Sequence, residues 1–134
     1  MLARQIYEAW SREGPAVAAE RHFAEDVVWY DPPETPDATV LRGREAVVGL
    51  WNEREPILGT FRVEYENATS VGDELLTSVR IRSRSERGFE MDFRHFHLLL
   101  FRDGKLTRIK VFASHADATA AAGEPERAPE EAGG

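Results

Sequence analysis

The spacing of apolar residues changes once along this chain, at about Thr60, and this change most constrains the fold. Before that point apolar residues recur at helical spacing, as Ile6, Tyr7 and Trp10 do. After it, apolar residues alternate with polar ones, which is typical of strands with one buried face. Helices that precede a run of consecutive strands predict an α+β domain, with the helices on one face of an antiparallel sheet.

Four helices and five strands are expected from the local patterns. In chain order they are helices over 3–12 and 16–23, a strand over 27–30, a helix from about 44 to 58, strands over 61–66, 75–82, 89–101 and 107–113, and a helix over 116–122 that stops at Gly123. Residues 32–42 are read as a proline-rich loop, and Pro56 is expected to end or bend the third helix. Asp103 and Gly104 predict a tight hairpin turn.

Two histidines lie in the most apolar of these strands. Because residues two apart share one face of a strand, His95 and His97 point the same way as their apolar neighbours, which are Phe93, Leu99 and Phe101. Imidazoles on an apolar face are costly unless they are hydrogen-bonded, and such places are where proteins tune pKa values for acid–base chemistry. The alternative is a core histidine satisfied by a main-chain carbonyl, and we favour that reading for His95.

A carboxylate also ends an apolar run, since Asp31 follows the strand over 27–30 and precedes Pro32. Asp31 is either a turn residue whose side chain accepts from nearby main-chain N–H groups, or a tuned acid or base. The three tryptophans are expected to build the core or a pocket wall, because their rings contribute large apolar area.

Composition limits the classes of partner and site. The 134 residues carry a formal net charge of −7, which argues against nucleic acid as a partner. No apolar run approaches the ~20 residues of a membrane span, and the first residues lack the layout of a signal peptide, so we expect a cytoplasmic protein without membrane contact. The absence of cysteine excludes disulfides and thiolate metal sites. His95, His97 and Asp31 resemble part of a metal site, but we expect no metal, because histidine pairs on one strand are common without one.

Two further expectations concern the C-terminal tail and the second face of the strand over 89–101, which carries His95 and His97. Residues 124–134 are rich in Glu, Pro and Gly, and we expect them to be a disordered acidic tail after a domain over 1–123. The other face of the strand is also apolar, with Phe96, Leu98 and Leu100. A second copy of the chain is the simplest cover for that face, so we expect a homodimer through it.

Several segments together resemble the nuclear transport factor 2-like superfamily, in its SnoaL-like polyketide-cyclase and ketosteroid-isomerase-like branch. They are the opening helix with Tyr7, the segment Phe-Ala-Glu-Asp-Val-Val-Trp-Tyr-Asp-Pro at 23–32, Leu-Arg-Gly-Arg-Glu-Ala-Val at 41–47 and Phe-Arg-Asp-Gly-Lys-Leu at 101–106. The resemblance covers about residues 3–123. It implies a curved, mixed sheet that wraps as a cone around three N-terminal helices and holds a small apolar ligand in its mouth.

The resemblance also implies roles for three residues. Asp31 takes the position of the general base of ketosteroid isomerases, Tyr7 that of the oxyanion-hole tyrosine, and His97 that of a protonated aspartate that is the second oxyanion donor. A histidine there either donates one hydrogen bond or acts as a base itself. The implied site uses no cofactor, and its expected wall is Trp10, Phe23, Trp29, Trp51, Phe93, His95, Leu99, Phe101 and Val111.

Two functions fit these expectations. The first is a cofactor-independent acid–base enzyme of the isomerase, cyclase or dehydratase type, which acts next to a carbonyl group of a small hydrophobic molecule. The second is a non-catalytic ligand-binding or dimerisation module with the same pocket. They differ in whether Tyr7, Asp31 and His97 converge on an open cavity or are each occupied by hydrogen bonds within the protein.

Overall fold

The described part of the chain forms four helices and one six-stranded sheet. A computed structural model describes residues 2–33, 38–58, 60–84, 88 and 90–122. In chain order the elements are α1 (Leu2–Glu13), α2 (Pro15–His22), β1 (Phe23–Tyr30), β2 (Val40–Arg42), α3 (Arg44–Leu58), β3 (Thr60–Val71), β4 (Glu74–Arg84), β5 (Glu90–Arg102), β6 (Lys105–Phe112) and α4 (His115–Ala121). None of the described helices is long and apolar enough to cross a membrane.

The strands form a mixed sheet in the order β2-β1-β6-β5-β4-β3. Only β1 and β6 pair in parallel, and the other neighbours are antiparallel. The ladders shift register between Tyr65 and Asn67 in β3 and between Leu100 and Phe101 in β5. Such irregularities bend strands and increase their twist, which suits a sheet that curves around helices. The α+β architecture predicted from the sequence is confirmed.

The main core lies between the inner face of this sheet and the first three helices. α1 contributes one stripe of buried residues, which includes Ile6, Tyr7 and Trp10 at helical spacing. α1 packs against α2 and β3, whereas α3 packs against α2 and β1. The strands contribute alternate residues to the same core, such as Val79 from β4 and Leu99 from β5. The period change near Thr60 therefore marks the passage from helices to sheet.

A second apolar cluster lies on the outer face of the sheet and corrects one expectation. Leu98 is fully buried there with Leu76, Phe112 and Ala118, the last of which belongs to α4. Ser114 starts that helix by accepting a hydrogen bond from the main-chain N–H of Asp117. The expectation that Leu98 needs a second copy as its cover is wrong, because α4 of the same chain covers it. Phe96 and Leu100 are half-buried on this face, and the homodimer itself stays a prediction.

Several elements differ in their bounds from the sequence-based expectation, and β3, for example, extends to Val71 instead of residue 66. Phe23 begins β1 instead of ending the second helix. The predicted loop over 32–42 contains β2, which pairs with β1 through Leu41 and Trp29. Pro56 does not end α3, which continues to Leu58. The acidic tail over 124–134, the stop at Gly123 and the expected strand start at residue 89 lie outside the described residues.

Candidate active site

Tyr7, Thr77 and His97 form a buried, hydrogen-bonded group, here called the Tyr7–His97 group. The Tyr7 hydroxyl lies 2.8 Å from Oγ1 of Thr77 and 2.8 Å from Nδ1 of His97. Oγ1 of Thr77 also lies 3.4 Å from the main-chain oxygen of His97, to which it donates. None of the three residues is more than 2% exposed. The group is therefore shielded from bulk water.

The fold explains why these three side chains meet. Thr77 of β4 and His97 of β5 are direct partners in the antiparallel ladder, so their side chains stand side by side on one face. Tyr7 reaches them from the buried stripe of α1. The structure thus brings Tyr7 and His97 together, and Thr77 is an unexpected third member of the group.

Burial keeps both ionisable members of the group neutral at pH 7. It raises the pKa of Tyr7 well above its usual value, and the hydrogen bond with Thr77 offsets this only in part. Burial also lowers the pKa of His97 to about 3, with a smaller contribution from the nearby imidazole of His95. The group therefore offers neutral hydrogen-bond donors and acceptors and no net charge.

From Phe93 to Leu99, the residues on the inner face of β5 become more buried. Phe93 and His95 are half-buried, whereas His97 and Leu99 are fully buried. The ring of His95 lies 4.8 Å from that of Phe93 and 6.2 Å from that of His97, measured between ring centroids. This row connects the surface with the Tyr7–His97 group, and the alternation predicted for β5 is confirmed.

Asp31 lies in a second polar group. Its Oδ1 accepts from Nε1 of Trp29 at 3.0 Å. Its Oδ2 lies 3.3 Å from Nη2 of Arg54 and accepts weakly from the main-chain N–H of Thr39 at 3.4 Å. The main-chain N–H of Asp31 donates in return to the oxygen of Thr39. Asp31 thus bonds to the main chain of Thr39, just before β2, as the turn interpretation expects. It also forms an ion pair with Arg54 of α3.

Three tryptophan rings lie between the two polar groups. Trp10 and Trp29 both contact Trp51, with ring centroids 5.1 Å and 5.8 Å away, and they lie 6.1 Å from each other. Trp10 follows Tyr7 on the same face of α1, and Trp29 donates to Asp31. The described contacts of Asp31 run to Trp29, Thr39 and Arg54, so direct convergence with the Tyr7–His97 group is not among them.

The expected wall residues fall into two sets. The buried ones are Trp10, Phe23, Trp29, Trp51, Leu99 and Val111, and the half-buried ones are Phe93, His95 and Phe101. Nε1 of Trp10 has no hydrogen-bond partner among the described residues although it is buried. Buried N–H groups of this kind are normally hydrogen-bonded, and an acceptor atom on a ligand would complete this one. Within the described ranges, no three His, Asp or Glu side chains lie close enough together to hold a metal ion.

Sequence reasoning missed two residues of these groups. Thr77 is a polar residue on the otherwise apolar alternating face formed by Leu75, Val79 and Ile81, and that exception was the available clue. Arg54 lies in a polar part of α3, where an arginine is ordinary, and only its position three residues after Trp51 relates it to the tryptophan group.

Several solved structures have a fold similar to that of this chain. One is a hypothetical protein with a ketosteroid isomerase-like fold from Catenulispora acidiphila DSM 44928 in complex with trimethylamine, with a TM-score of 0.71 at 18% identity over 92% of this chain and 93% of that chain. A second is TerC co-crystallised with polyporic acid, with a TM-score of 0.71 at 18% identity over 89% of this chain and 93% of that chain.

A third similar structure is a candidate SnoaL-like polyketide cyclase from Jannaschia sp. CCS1, with a TM-score of 0.70 at 13% identity over 93% of this chain and 91% of that chain. At these identities the likeness shows the fold alone. Among proteins with curated descriptions, no match to this chain was found.

The sequence model of one family covers most of the chain. This is the SnoaL-like domain, which matches residues 3–109 and so spans every element from α1 into β6. The mixed sheet, the helices on its inner face and the similar solved structures agree with that match. The chain therefore belongs to the SnoaL-like domain family.

Proposed function

We propose that this protein is a cofactor-independent acid–base enzyme of the isomerase, cyclase or dehydratase type. It binds a small, largely apolar molecule inside the cone and moves a proton next to a carbonyl group of that molecule. The observation that carries the proposal is the 2.8 Å contact between the Tyr7 hydroxyl and Nδ1 of His97. Burying the polar groups of Tyr7 and His97 in the core costs desolvation free energy. Apolar side chains at these two positions would stabilise the fold without that cost, so stability alone does not explain the pair.

Asp31 is the proposed general base. Its carboxylate is almost fully buried beside the tryptophan rings, where a substrate with an apolar body would lie. The two oxygens of a carboxylate accept about four hydrogen bonds, and the structure describes three contacts from Trp29, Arg54 and Thr39. Acceptor capacity therefore remains for a proton taken from a substrate carbon.

Two further observations support a ligand inside the cone. The buried N–H group of Trp10 lacks a partner among the described residues, which costs about 1–3 kcal/mol until an acceptor reaches it. Two of the similar structures were obtained with a small organic molecule, trimethylamine in one and polyporic acid in the other. By likeness to those proteins, we expect an organic ligand here as well.

The second candidate function is a non-catalytic ligand-binding or dimerisation module, and one observation favours it. The Tyr7 hydroxyl and both carboxylate oxygens of Asp31 already have protein partners. Groups held only by the protein stabilise a fold without performing a reaction. An assay of proton transfer separates the two candidates.

The test is exchange of solvent deuterium into 2-tetralone, a bicyclic ketone whose C1 protons lie between the carbonyl and the aromatic ring. We expect the wild-type protein to accelerate their loss, as followed by proton NMR in D₂O. Asp31→Asn should slow the catalysed exchange by about 10²–10⁴-fold, which is the usual contribution of a general base. Asp26→Asn is the matched control, because Asp26 is an exposed carboxylate on the same strand. Binding of 2-tetralone without exchange would support the non-catalytic module instead.

A further inference from the structure

We propose that the ligand of this site meets the Tyr7–His97 group with a hydroxyl group, phenolic or enolic, which donates to Nε2 of His97. We also propose that Thr77 is the positioning residue that makes Nε2 an acceptor. The inference rests on the proposed function for the presence of a ligand in the cone. It adds the chemical class of the group that the ligand presents there.

The hydrogen bonds of the Tyr7–His97 group fix the position of the imidazole proton. The Tyr7–His97 group has three contacts: Thr77 to Tyr7 and Tyr7 to His97, both at 2.8 Å, and a longer one of 3.4 Å from Thr77 to the main-chain oxygen of His97. A neutral imidazole carries one N–H, and each hydroxyl carries one O–H, so three protons are available. All three contacts become hydrogen bonds in a single arrangement.

In that arrangement each donor has one acceptor. The main-chain oxygen of His97 can only accept, so Thr77 donates to it. Oγ1 of Thr77 then accepts from the Tyr7 hydroxyl, and the Tyr7 oxygen accepts from Nδ1 of His97. The imidazole proton therefore lies on Nδ1, and Nε2 carries a lone pair.

The opposite tautomer satisfies fewer groups. With the proton on Nε2, Tyr7 would donate to Nδ1, and Thr77 would donate either to Tyr7 or to the main-chain oxygen, but not to both. One of the three contacts would then lack a proton. Nε2–H would also be a donor with no hydrogen-bond partner among the described residues.

With the proton on Nδ1, Nε2 of His97 can only accept a hydrogen bond, and this determines which ligand group binds there. The lone pair of Nε2 accepts from an O–H, whereas a carbonyl oxygen would face a second acceptor. The Tyr7 proton is already directed at Thr77, so the Tyr7–His97 group has no free donor for a carbonyl. The apolar residues on the same face of β5, Phe93 and Leu99, suit an aromatic or alicyclic body. A hydroxyl on an apolar ring system meets both requirements.

The first test measures the tautomer of His97 in the ligand-free protein by two-dimensional ¹H–¹⁵N NMR, with His97→Gln to assign the resonance. We expect the proton on Nδ1 in the wild type. Thr77→Val removes the acceptor of the Tyr7 hydroxyl, which then donates to Nδ1 and moves the imidazole proton to Nε2. Thr77→Ser keeps the hydroxyl and should keep the wild-type tautomer. A wild-type protein with the proton on Nε2 overturns the proposal, and this holds even if Thr77→Val does not fold.

The second test compares the binding of 2-naphthol and 2-methoxynaphthalene, which has the same ring system but no O–H donor. We expect the wild type to favour 2-naphthol by about fivefold, the value of one ordinary hydrogen bond, and Thr77→Val to lose this preference. Equal affinities in the wild type, or the same preference in Thr77→Val, contradict the inference. A protein that prefers 2-naphthol but does not exchange the protons of 2-tetralone upholds this inference and contradicts the proposed enzyme.

Discussion

At the scale of single residues, burial decides which protons the site holds. The unperturbed pKa of histidine lies close to neutral pH, so small changes of environment set its charge. His97 is fully buried and has no carboxylate among its described contacts, so burial dominates and the imidazole stays neutral. Tyr7 stays neutral for the same reason. The Tyr7–His97 group can therefore bind a neutral ligand group without a counter-charge.

The lowered pKa of His97 predicts a specific dependence of stability on pH. The folded protein protonates His97 only near pH 3, whereas the unfolded chain does so near the ordinary value of 6.5. Between these values the unfolded state binds more protons, so the free energy of unfolding falls as the pH is lowered. The contribution of one such group is up to about 1.4 kcal/mol per pH unit.

Chemical denaturation of the wild type and of His97→Gln at several pH values between 3 and 7 measures this contribution. We expect the free energy of unfolding of the variant to depend less steeply on pH, whatever its absolute value. Parallel curves for the two proteins would show that His97 is not the buried neutral histidine described here.

The sequence predicts one half of the site better than the other. Strand alternation places His97 on the inner face, and helical spacing places Tyr7 in the buried stripe of α1, because both are local patterns. The partners Thr77 and Arg54 are set by strand pairing and helix packing, which join residues far apart in the chain. Local periodicity carries no information on such pairings, so neither Thr77 beside His97 nor Arg54 beside Asp31 was expected.

At the scale of elements, one side chain of α1 forms hydrogen bonds with the main chain of β3, the edge strand of the sheet. Oγ of Ser11 accepts from the main-chain N–H of Val63 at 2.8 Å and donates to the oxygen of the same residue at 3.0 Å. β3 is the last strand in the sheet order, so its outer main-chain groups lack a neighbouring strand. Ser11 thus pairs main-chain groups that an edge strand otherwise leaves open.

Ser11→Ala should destabilise the protein by about 1 kcal/mol, because it removes both hydrogen bonds to Val63 at a partly buried position. The midpoint of denaturant unfolding measures the change. Ser70→Ala is the matched control, since Ser70 is an exposed serine on the same strand. If the two variants unfold at the same midpoint, the hydrogen bonds between Ser11 and Val63 do not contribute to the free energy of unfolding.

The order of helices and strands was predictable, whereas the short strand was not. Long segments such as α1 and β5 carry several periods of their pattern and are read directly from the sequence. β2 has three residues, Val40–Arg42, which are too few to show alternation, and it follows a segment with three prolines. Its strand character comes from pairing with β1, which is a property of the folded sheet.

At the scale of the whole molecule, the outer face of the sheet is divided into two parts. α4 covers the apolar part around Leu98. The other part carries arginine–carboxylate pairs across β3, β4 and β5, such as Arg80 with Asp92 at 2.7 Å and Arg94 with Glu66 at 2.8 Å. Exposed pairs of this kind contribute little to stability. This charged part, here called the outer charged face, is the open surface that a second copy could use.

We expect a homodimer at micromolar concentration through the outer face of the sheet, with the half-buried Phe96 and Leu100 and the outer charged face as parts of the contact. Sedimentation velocity measures the mass directly. Arg80→Glu places like charges beside Asp92 and should shift the protein toward monomer, whereas Arg12→Glu, on the exposed side of α1, should not. A wild-type monomer would contradict the expected dimer.

For the whole molecule, we propose that residues inside the cone transfer a proton and that Asp31 is the base. The most direct measurement is the rate of deuterium exchange into 2-tetralone by the wild type, Asp31→Asn and His97→Gln under the same conditions. We predict loss of about 10²–10⁴-fold in Asp31→Asn and a smaller loss in His97→Gln, because an imidazole with a pKa of about 3 is a weak base. Loss in His97→Gln with full activity in Asp31→Asn would make the imidazole the base, and equal rates in all three proteins would contradict the enzymatic account.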